Sequence, residues 1–298
     1  MKARALLASL RPHQWTKNLV VFVAWPLGTV EGHLSPHFLS LGSAWRVALA
    51  FALFCGLSGA VYLLNDVTDV ERDRLHPRKR LRPIASGQLG RGTALLAAAV
   101  LALGGLAGSW ALGAAFASVA LAYVVLNLLY SFWFKNVVIV DAITVSVFFV
   151  LRAVAGALAI SVEIGDILLI CTILLALFLT LCKRRHELTS LSENATEHRR
   201  ILSEYSPYLL DQMIAVVTAS CVTAYAFYAT AQETIDKFHT RRLAWTLPFV
   251  LYGIFRYLYL VHRKEQGGSP TDILLTDRPL LVNVFLWGLA VILIVYTA

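Results

Sequence analysis

An all-α protein embedded in a membrane is what this chain predicts, on three observations. Apolar residues make up 58% of it and charged residues only 15%, far from the balance of a soluble domain. Apolar runs, most of them long enough to cross a hydrocarbon layer of ~30 Å, fill nearly the whole length. The cations between those runs are distributed one-sidedly. Backbone groups in lipid must be satisfied within their own segment, so the runs read as helices.

Taken in order, the spans fall near 19–31, 44–64, 93–110, 112–134, 137–161, 167–182, 213–231, 243–261 and 280–297, about nine transmembrane helices in a single domain covering 1–298. The first is short and carries Pro26, so a tilted, re-entrant or half-buried segment stays open there. The run 93–134 has no polar break and is too long for one span; the Gly108–Gly113 neighbourhood is where it divides. The segments before residue 18 and at 65–92, 135, 183–200 and 262–278 carry twenty Lys and Arg. The opposite connections carry four: Arg46, Lys237, Arg241 and Arg242. That asymmetry places the N-terminus and the cation-rich loops in the cytoplasm and the C-terminus outside. The net charge of +8 then follows from topology and phosphate handling, and no nucleic-acid module is visible. The first apolar run lacks a small-residue cleavage pattern, so no cleaved signal peptide is expected. Cys55, Cys171, Cys182 and Cys221 lie in apolar segments at no metal spacing and read as packing residues.

The stretch Asn65 to Gly87, NDVTDVERDRLHPRKRLRPIASG, organises the rest. Asp66, Asp69 and Asp73 stand at i, i+3 and i+7 and share one helix face, and Asn65 can add a carbonyl oxygen to it. Such a face repels itself unless cations occupy it. Mg²⁺ suits it, because this ion takes a few carboxylates and completes its shell with water and substrate phosphate oxygens. Downstream come Arg72, Arg74, His76, Arg78, Lys79, Arg80 and Arg82, the sign suited to phosphate. Topology alone explains the arginines, but it has no use for the acids.

Further polar residues enter the spans. Gln14, Lys17 and Asn18 form an i, i+3, i+4 face running into the first apolar run, fit for a phosphate or ribose contact beyond the interfacial anchoring that explains Arg11 and Trp15. Lys135 is a lone cation between two spans, either snorkelling or a phosphate ligand. Asp141 and Arg152 lie eleven apart, too far to pair with each other, and each requires a polar interior. Arg152 reads as a site residue, and the small residues after it, Ala153, Gly156 and Ala157, suggest close helix packing. Lys183, Arg184 and Glu187 share a face at the end of the sixth span, while Arg185 points elsewhere. Tyr205-Ser206-Pro207-Tyr208 reads as the end of a short amphipathic helix over the cytoplasmic face, with Tyr205 a further candidate contact.

An acidic, metal-ready face and several cation clusters together call for polyanionic substrates, at least one of them lipid-embedded, and for group transfer from a diphosphate. No Ser/His/Asp or Cys/His nucleophile arrangement appears. At these residues the chain resembles the UbiA-type intramembrane prenyltransferases, through the first aspartate-rich motif NDxxDxxxD and the helix layout. Within that family it is most similar to the decaprenyl-phosphate phosphoribosyltransferase branch. The resembling stretches are RPHQWTKN (11–18), VYLLNDVTDVERDRLHPRKRLRPIASG (61–87), LRAVAG (151–156), KRRHEL (183–188), LSEYSPYLL (202–210) and TDILLTDRPL (271–280).

The resemblance implies a UbiA-like helix bundle with cytoplasmic active-site loops, in the inner membrane of a bacterium. It further implies Mg²⁺-dependent transfer of a phosphoribosyl group from phosphoribosyl diphosphate to a polyprenyl phosphate, feeding cell-wall arabinan precursors. Asp66, Asp69 and Asp73 would be catalytic, with Asn65 joining them on the metal. Gln14, Lys17, Asn18, Asn65, Arg78, Lys79, Arg82, Lys135, Arg152, Lys183, Arg184, Glu187 and Tyr205 would contact substrate. Ordinary members carry a second aspartate-rich motif after the sixth span, where this chain has Lys183-Arg184-Arg185-His186-Glu187. Two alternatives share the composition: a prenyltransferase moving a polyprenyl chain from its diphosphate, and a non-enzymatic lipid or anion transporter. A homo-oligomer is left open.

Overall fold

A computed structural model describes residues 2–27, 29–30, 33–34, 40–75, 77, 79–190 and 204–297. In chain order the elements are α1 (Lys2–Ser9), a 3-10 helix (Pro12–Phe22), α2 (Ala24–Leu27) and two paired antiparallel strands of two residues each, β1 (Thr29–Val30) and β2 (His33–Leu34). Then follow α3 (Leu41–Thr68), α4 (Val70–Leu75), α5 (Arg91–Ser109), α6 (Ala114–Phe132), α7 (Val140–Ile160) and α8 (Asp166–Ser190). The remainder is α9 (Pro207–Thr230), α10 (Gln232–Phe238), α11 (Leu247–Arg263), α12 (Pro270–Thr276) and α13 (Arg278–Tyr296).

Among the described residues eight helices are long and apolar enough to cross a membrane, built on α3, α5, α6, α7, α8, α9, α11 and α13. The ninth expected span, 19–31, is not one of them. Its described residues continue the 3-10 helix to Phe22, form the four-residue α2 with Pro26 inside it, and enter β1. Arg11 in the left-handed region and Pro12 at the first helical position separate this segment from α1. The division of 93–134 stands where it was expected. A 3-10 turn at Trp110–Leu112 runs into Gly113, whose φ of 115° is open only to glycine, and α6 starts there. The short amphipathic helix expected to end at 205–208 falls on 191–203, outside the described residues, and the same four residues begin α9. Ser206 caps α9 by accepting from the Leu209 N–H at 3.1 Å, and Pro207 takes the first helical position.

The chain falls into two compact units. The first comprises Met1–Trp25, His37–Phe134 and Leu151–Val162. In it α3 lies against α5 through glycines: a Cβ on Gly105 would meet Leu57 at 2.7 Å and one on Gly108 would meet Leu53 at 3.0 Å. Arg46 donates to the carbonyls of Ala159 and Leu112 and so satisfies helix C-terminal groups that lipid cannot. The end of α7 is equally close to the 3-10 helix, where a Cβ on Gly156 would stand 2.0 Å from the Val21 carbonyl oxygen. The backbones therefore touch, as the small residues after Arg152 suggest.

The second unit comprises Pro26–Pro36, Lys135–Val150 and Glu163–Ala298. Its core gathers Phe178, Leu181, Cys182, Leu210, Ile214, Tyr257, Leu260 and Leu280 from α8, α9, α11 and α13. A second cluster, with Tyr225, Tyr228, Phe238, Leu243 and Val291, is tied by hydrogen bonds of Tyr225 Oη with Thr246 (2.6 Å) and Trp287 Nε1 (3.1 Å). The four cysteines are free, three buried and one half-buried, in keeping with a packing role.

Candidate active site

In the first unit α3 carries the acidic face out of its apolar body. The i→i−4 ladder continues across the α3–α4 joint, with Asp69 N–H on the Asn65 carbonyl (2.9 Å) and Asp73 N–H on the Asp69 carbonyl (2.8 Å). Asp66 and Asp73 are thereby kept on one side, as their seven-residue spacing requires. Both are buried, each 3% exposed. Buried carboxylates demand a counter-charge, and here it is guanidinium. Arg82 Nη1 donates to Asp66 Oδ1 at 3.1 Å and to Asp73 Oδ2 at 2.6 Å. Arg11, in its left-handed conformation, donates to the same Asp66 oxygen and lies over the Tyr62 ring with 5.0 Å to its centroid.

A folded loop delivers Arg82. Its N–H donates to the Lys79 carbonyl and its carbonyl accepts from Ser86, both at 2.9 Å, and the turn closes at Gly87 with φ 80°. Ile84 and Leu89, each 2% exposed, anchor the loop in an apolar cluster with Ala5, Leu63 and Val70. Other cations of the run go elsewhere. Arg74 and Arg91 pair with the exposed Glu71, and the Arg91 hydrogen bond foremost holds that carboxyl below its ordinary range. Lys79 is half-buried in a 3-10 turn, and Arg78 lies outside the described residues.

A second polar group crosses the same unit. Arg152, 5% exposed, donates from Nε to Asn18 Oδ1 (2.7 Å) and from Nη2 to Tyr123 Oη (2.8 Å), with its guanidinium 4.9 Å from the Tyr123 ring centroid. Tyr123 meets Ser58 at 3.0 Å, and Asn18 donates to Cys55 Sγ at 3.3 Å. Asn18 and Arg152, expected separately as substrate contacts, thus hold each other and tie the 3-10 helix to α7. Lys17 donates to Gln14 at 3.0 Å on the same 3-10 helix, the contact their spacing allows.

The second unit holds the other expected cluster. Asp141 is fully buried and accepts from Arg184 Nε at 2.9 Å and from Tyr205 Oη at 3.1 Å. Arg184, 3% exposed, also donates to Glu187 at 2.7 Å, and Lys183 stands 3.7 Å from Glu187. Tyr205 in turn accepts the Ile139 N–H at 2.7 Å. Ile139 has φ 69°, a costly conformation for a β-branched residue that this bond helps to hold. Burial, and then the Asp141 carboxylate, push the Tyr205 phenol up to about 12, so it is a donor at neutral pH. Arg185 turns away to Asp211, which also meets His262. Lys135 is half-buried in a short 3-10 turn before α7.

Sequence reasoning missed Arg11 and Tyr123 as members of these groups, and it left Asp141 in need of a polar interior without naming its partner. Arg11 carried the signal of a membrane anchor, and only its proximity in RPHQWTKN to other polar residues hinted at more. Among the described residues no three His, Cys, Asp or Glu side chains gather closely enough to hold a metal ion. The acidic face nonetheless fits a hard dication in kind. Its donors are all oxygen, and two buried carboxylates converge on a single cationic nitrogen.

The model of the UbiA prenyltransferase family matches residues 19–269. The chain belongs to this family. It is similar to the decaprenyl-phosphate phosphoribosyltransferase of Corynebacterium glutamicum, 33% identical over 99% of this chain and 87% of that protein. The protein of the same name from Mycolicibacterium smegmatis is 31% identical over 95% of this chain and 89% of its own. A nodulation protein, NoeC, of Azorhizobium caulinodans is 27% identical over 96% and 92%. In fold the chain is similar to a UbiA homolog from Archaeoglobus fulgidus bound to DMAPP and Mg²⁺, with a TM-score of 0.72, 20% identity and coverage of 96% of this chain and 98% of that one. The protein is thus a multi-pass membrane transferase of the UbiA family, with the all-helical fold its composition predicts.

Proposed function

We propose that this UbiA-family transferase moves a phosphoribosyl group from phosphoribosyl diphosphate to a polyprenyl phosphate and releases diphosphate. The observation that carries the reading is the 33% identity, across 99% of the chain, with the phosphoribosyltransferase of C. glutamicum. The basic Lys183–Glu187 segment, standing where ordinary prenyltransferases carry a second acidic motif, supports it. The product would feed cell-wall arabinan synthesis, with the active-site loops on the cytoplasmic side.

The acceptor phosphate carries roughly −1.5 charge at neutral pH and needs no general base. One of its oxygens attacks the anomeric carbon of the donor ribose. The bond from that carbon to the diphosphate breaks, and its electron pair leaves with the diphosphate. Asp66 and Asp73, with Asn65 and Asp69 on the same stretch of backbone, would hold Mg²⁺, which when bound offsets the negative charge of the departing diphosphate. Arg82, with Arg78 and Lys79 on its loop, supplies cations to that leaving group. Lys183 supplies a cation toward a second phosphate, since two dense anions repel each other without one. Arg184, Glu187 and Tyr205 shape the segment carrying Lys183, and Lys135, Gln14 and Lys17 are further candidate contacts.

Incubating the purified protein with labelled phosphoribosyl diphosphate, Mg²⁺ and polyprenyl phosphate tests the reading. Label entering the lipid phase, lost in Asp66→Asn and in excess chelator, is the expected result. Label that stays in water, while a polyprenyl diphosphate is consumed with an aromatic acceptor, would replace it with prenyl transfer.

A further inference from the structure

We propose that Arg82 is the resident counter-ion of the acidic face and changes partners when substrate loads. It leaves Asp66 and Asp73 for the diphosphate, so the face disfavours a bare dication and accepts one that arrives with a diphosphate. The inference rests on reading Asp66 and Asp73 as dication ligands and adds the order in which their charges are exchanged.

Three observations carry it. One nitrogen of Arg82 contacts a carboxylate oxygen of each residue, 3.1 Å from Asp66 and 2.6 Å from Asp73, so it occupies the point on which both acids converge. A cation bound by both acids needs that point, and two positive charges cannot share it. Second, the acids are fixed and the guanidinium is movable. Asp66 and Asp73 are 3% and 4% exposed at the side chain, against 29% for Arg82. Third, the Arg82 backbone is pinned by the Lys79 and Ser86 hydrogen bonds and by buried Ile84 and Leu89, so the exchange is a side-chain rotation on a standing loop.

The charge balance sets the direction. Asp66 and Asp73 face Arg82 and Arg11, two negative charges against two positive ones. A bare dication must displace Arg82 from both carboxylates and strands its guanidinium. A dication with diphosphate arrives as an anion and offers that guanidinium bidentate phosphate oxygens. Linkage then requires diphosphate and dication each to strengthen the binding of the other, through Arg82.

The test measures binding, not turnover, on the full chain purified in detergent. Free Mn²⁺ is counted by its electron paramagnetic resonance signal, with and without inorganic diphosphate, and labelled diphosphate is followed by dialysis. Arg82→Gln keeps polar contacts to the carboxylates and removes the charge. It should bind bare Mn²⁺ more tightly by about ten- to a hundred-fold, and the strengthening by diphosphate should shrink by a similar factor. Asp66→Asn should lose Mn²⁺ both with and without diphosphate. If Asp66→Asn loses it while Arg82→Gln binds bare Mn²⁺ no better than the wild type, the counter-ion exchange is wrong and the metal reading stands. If Asp66→Asn binds Mn²⁺ and diphosphate as the wild type does, both fall. Should Arg82→Gln not fold, the wild type decides, because bare Mn²⁺ bound as tightly as Mn²⁺ with diphosphate overturns the proposal.

Discussion

Replacing Arg184 should cost the protein its stability before it costs any substrate contact. The sequence places Arg184 beside Lys183 on a helix end suited to phosphate. In the structure the two differ sharply: the Arg184 side chain is 4% exposed and that of Lys183 is 39%. Arg184 bridges fully buried Asp141 and Glu187. Removing one member of a buried ion pair strands the other, at a cost of about 3–5 kcal/mol. Arg184→Gln and Asp141→Asn should therefore each lower the thermal denaturation midpoint clearly in detergent, without any ligand added. The apolar double change Asp141→Leu with Arg184→Met should cost less than either single change, because no charge is left stranded. Lys183→Gln removes an exposed 3.7 Å contact with Glu187 worth about 0–1 kcal/mol, so it should lower the midpoint far less than Arg184→Gln. Arg185 points away from both and is bound to Asp211. An Arg184→Gln protein with wild-type stability and a selective loss of phosphate affinity would refute the assignment of Arg184 as a brace.

Gly156→Ala should destabilise by roughly 1–3 kcal/mol, because its methyl would stand where the Val21 carbonyl is; a wild-type denaturation midpoint would speak against that backbone contact. Asp277 caps α13 at Leu280 and pairs with Arg256, and the Arg256 hydrogen bond foremost holds its carboxyl below the ordinary value. The stability it contributes should be complete above the unfolded carboxylate value of about 3.9 and be lost as pH falls through the lower folded value. The midpoint difference between wild type and Asp277→Asn should accordingly be constant from pH 7 to about 5. The N-terminal 3-10 helix runs back along α3, from Arg11 at Asp66 through Asn18 at Cys55 to Phe22 at Phe51, so the chain passes from one end of α3 toward the other before Leu41. A cysteine at Thr297 should then be labelled by impermeant reagent in intact cells, and shielding there would remove the ninth crossing.

What could be read beforehand was local. The aspartate spacing survives because a hydrogen-bonded ladder runs through the α3–α4 joint, and the cut at Gly113 follows from a conformation glycine alone tolerates. Asn18, Arg152, Arg184 and Asp141 were each recognisable as polar residues in apolar surroundings, since lipid leaves them no other reading. Their partners were not. Arg11 reaches Asp66 across 55 positions, Arg184 reaches Asp141 across 43 and Arg152 reaches Asn18 across 134, and no periodicity encodes such distances. The acidic face suggested a metal because acids need cations, but the same need is met by Arg82 and Arg11 from elsewhere in the chain. The start of α9 is a different case, since Ser206-Pro207 carries a cap and a first-turn proline in plain view. The first apolar run is the irregular segment its shortness and Pro26 suggested: its described residues form a 3-10 helix and the four-residue α2, packed on α3 and against Gly156 of α7.

The most direct measurement is the mass of the lipid product. Purified protein, phosphoribosyl diphosphate, Mg²⁺ and a polyprenyl phosphate of known mass should yield one new lipid, heavier by a phosphoribosyl group, with diphosphate released in equal amount and neither formed by Asp73→Asn. An unchanged polyprenyl phosphate, or a product whose mass shows a polyprenyl chain joined to some other acceptor, would contradict the account.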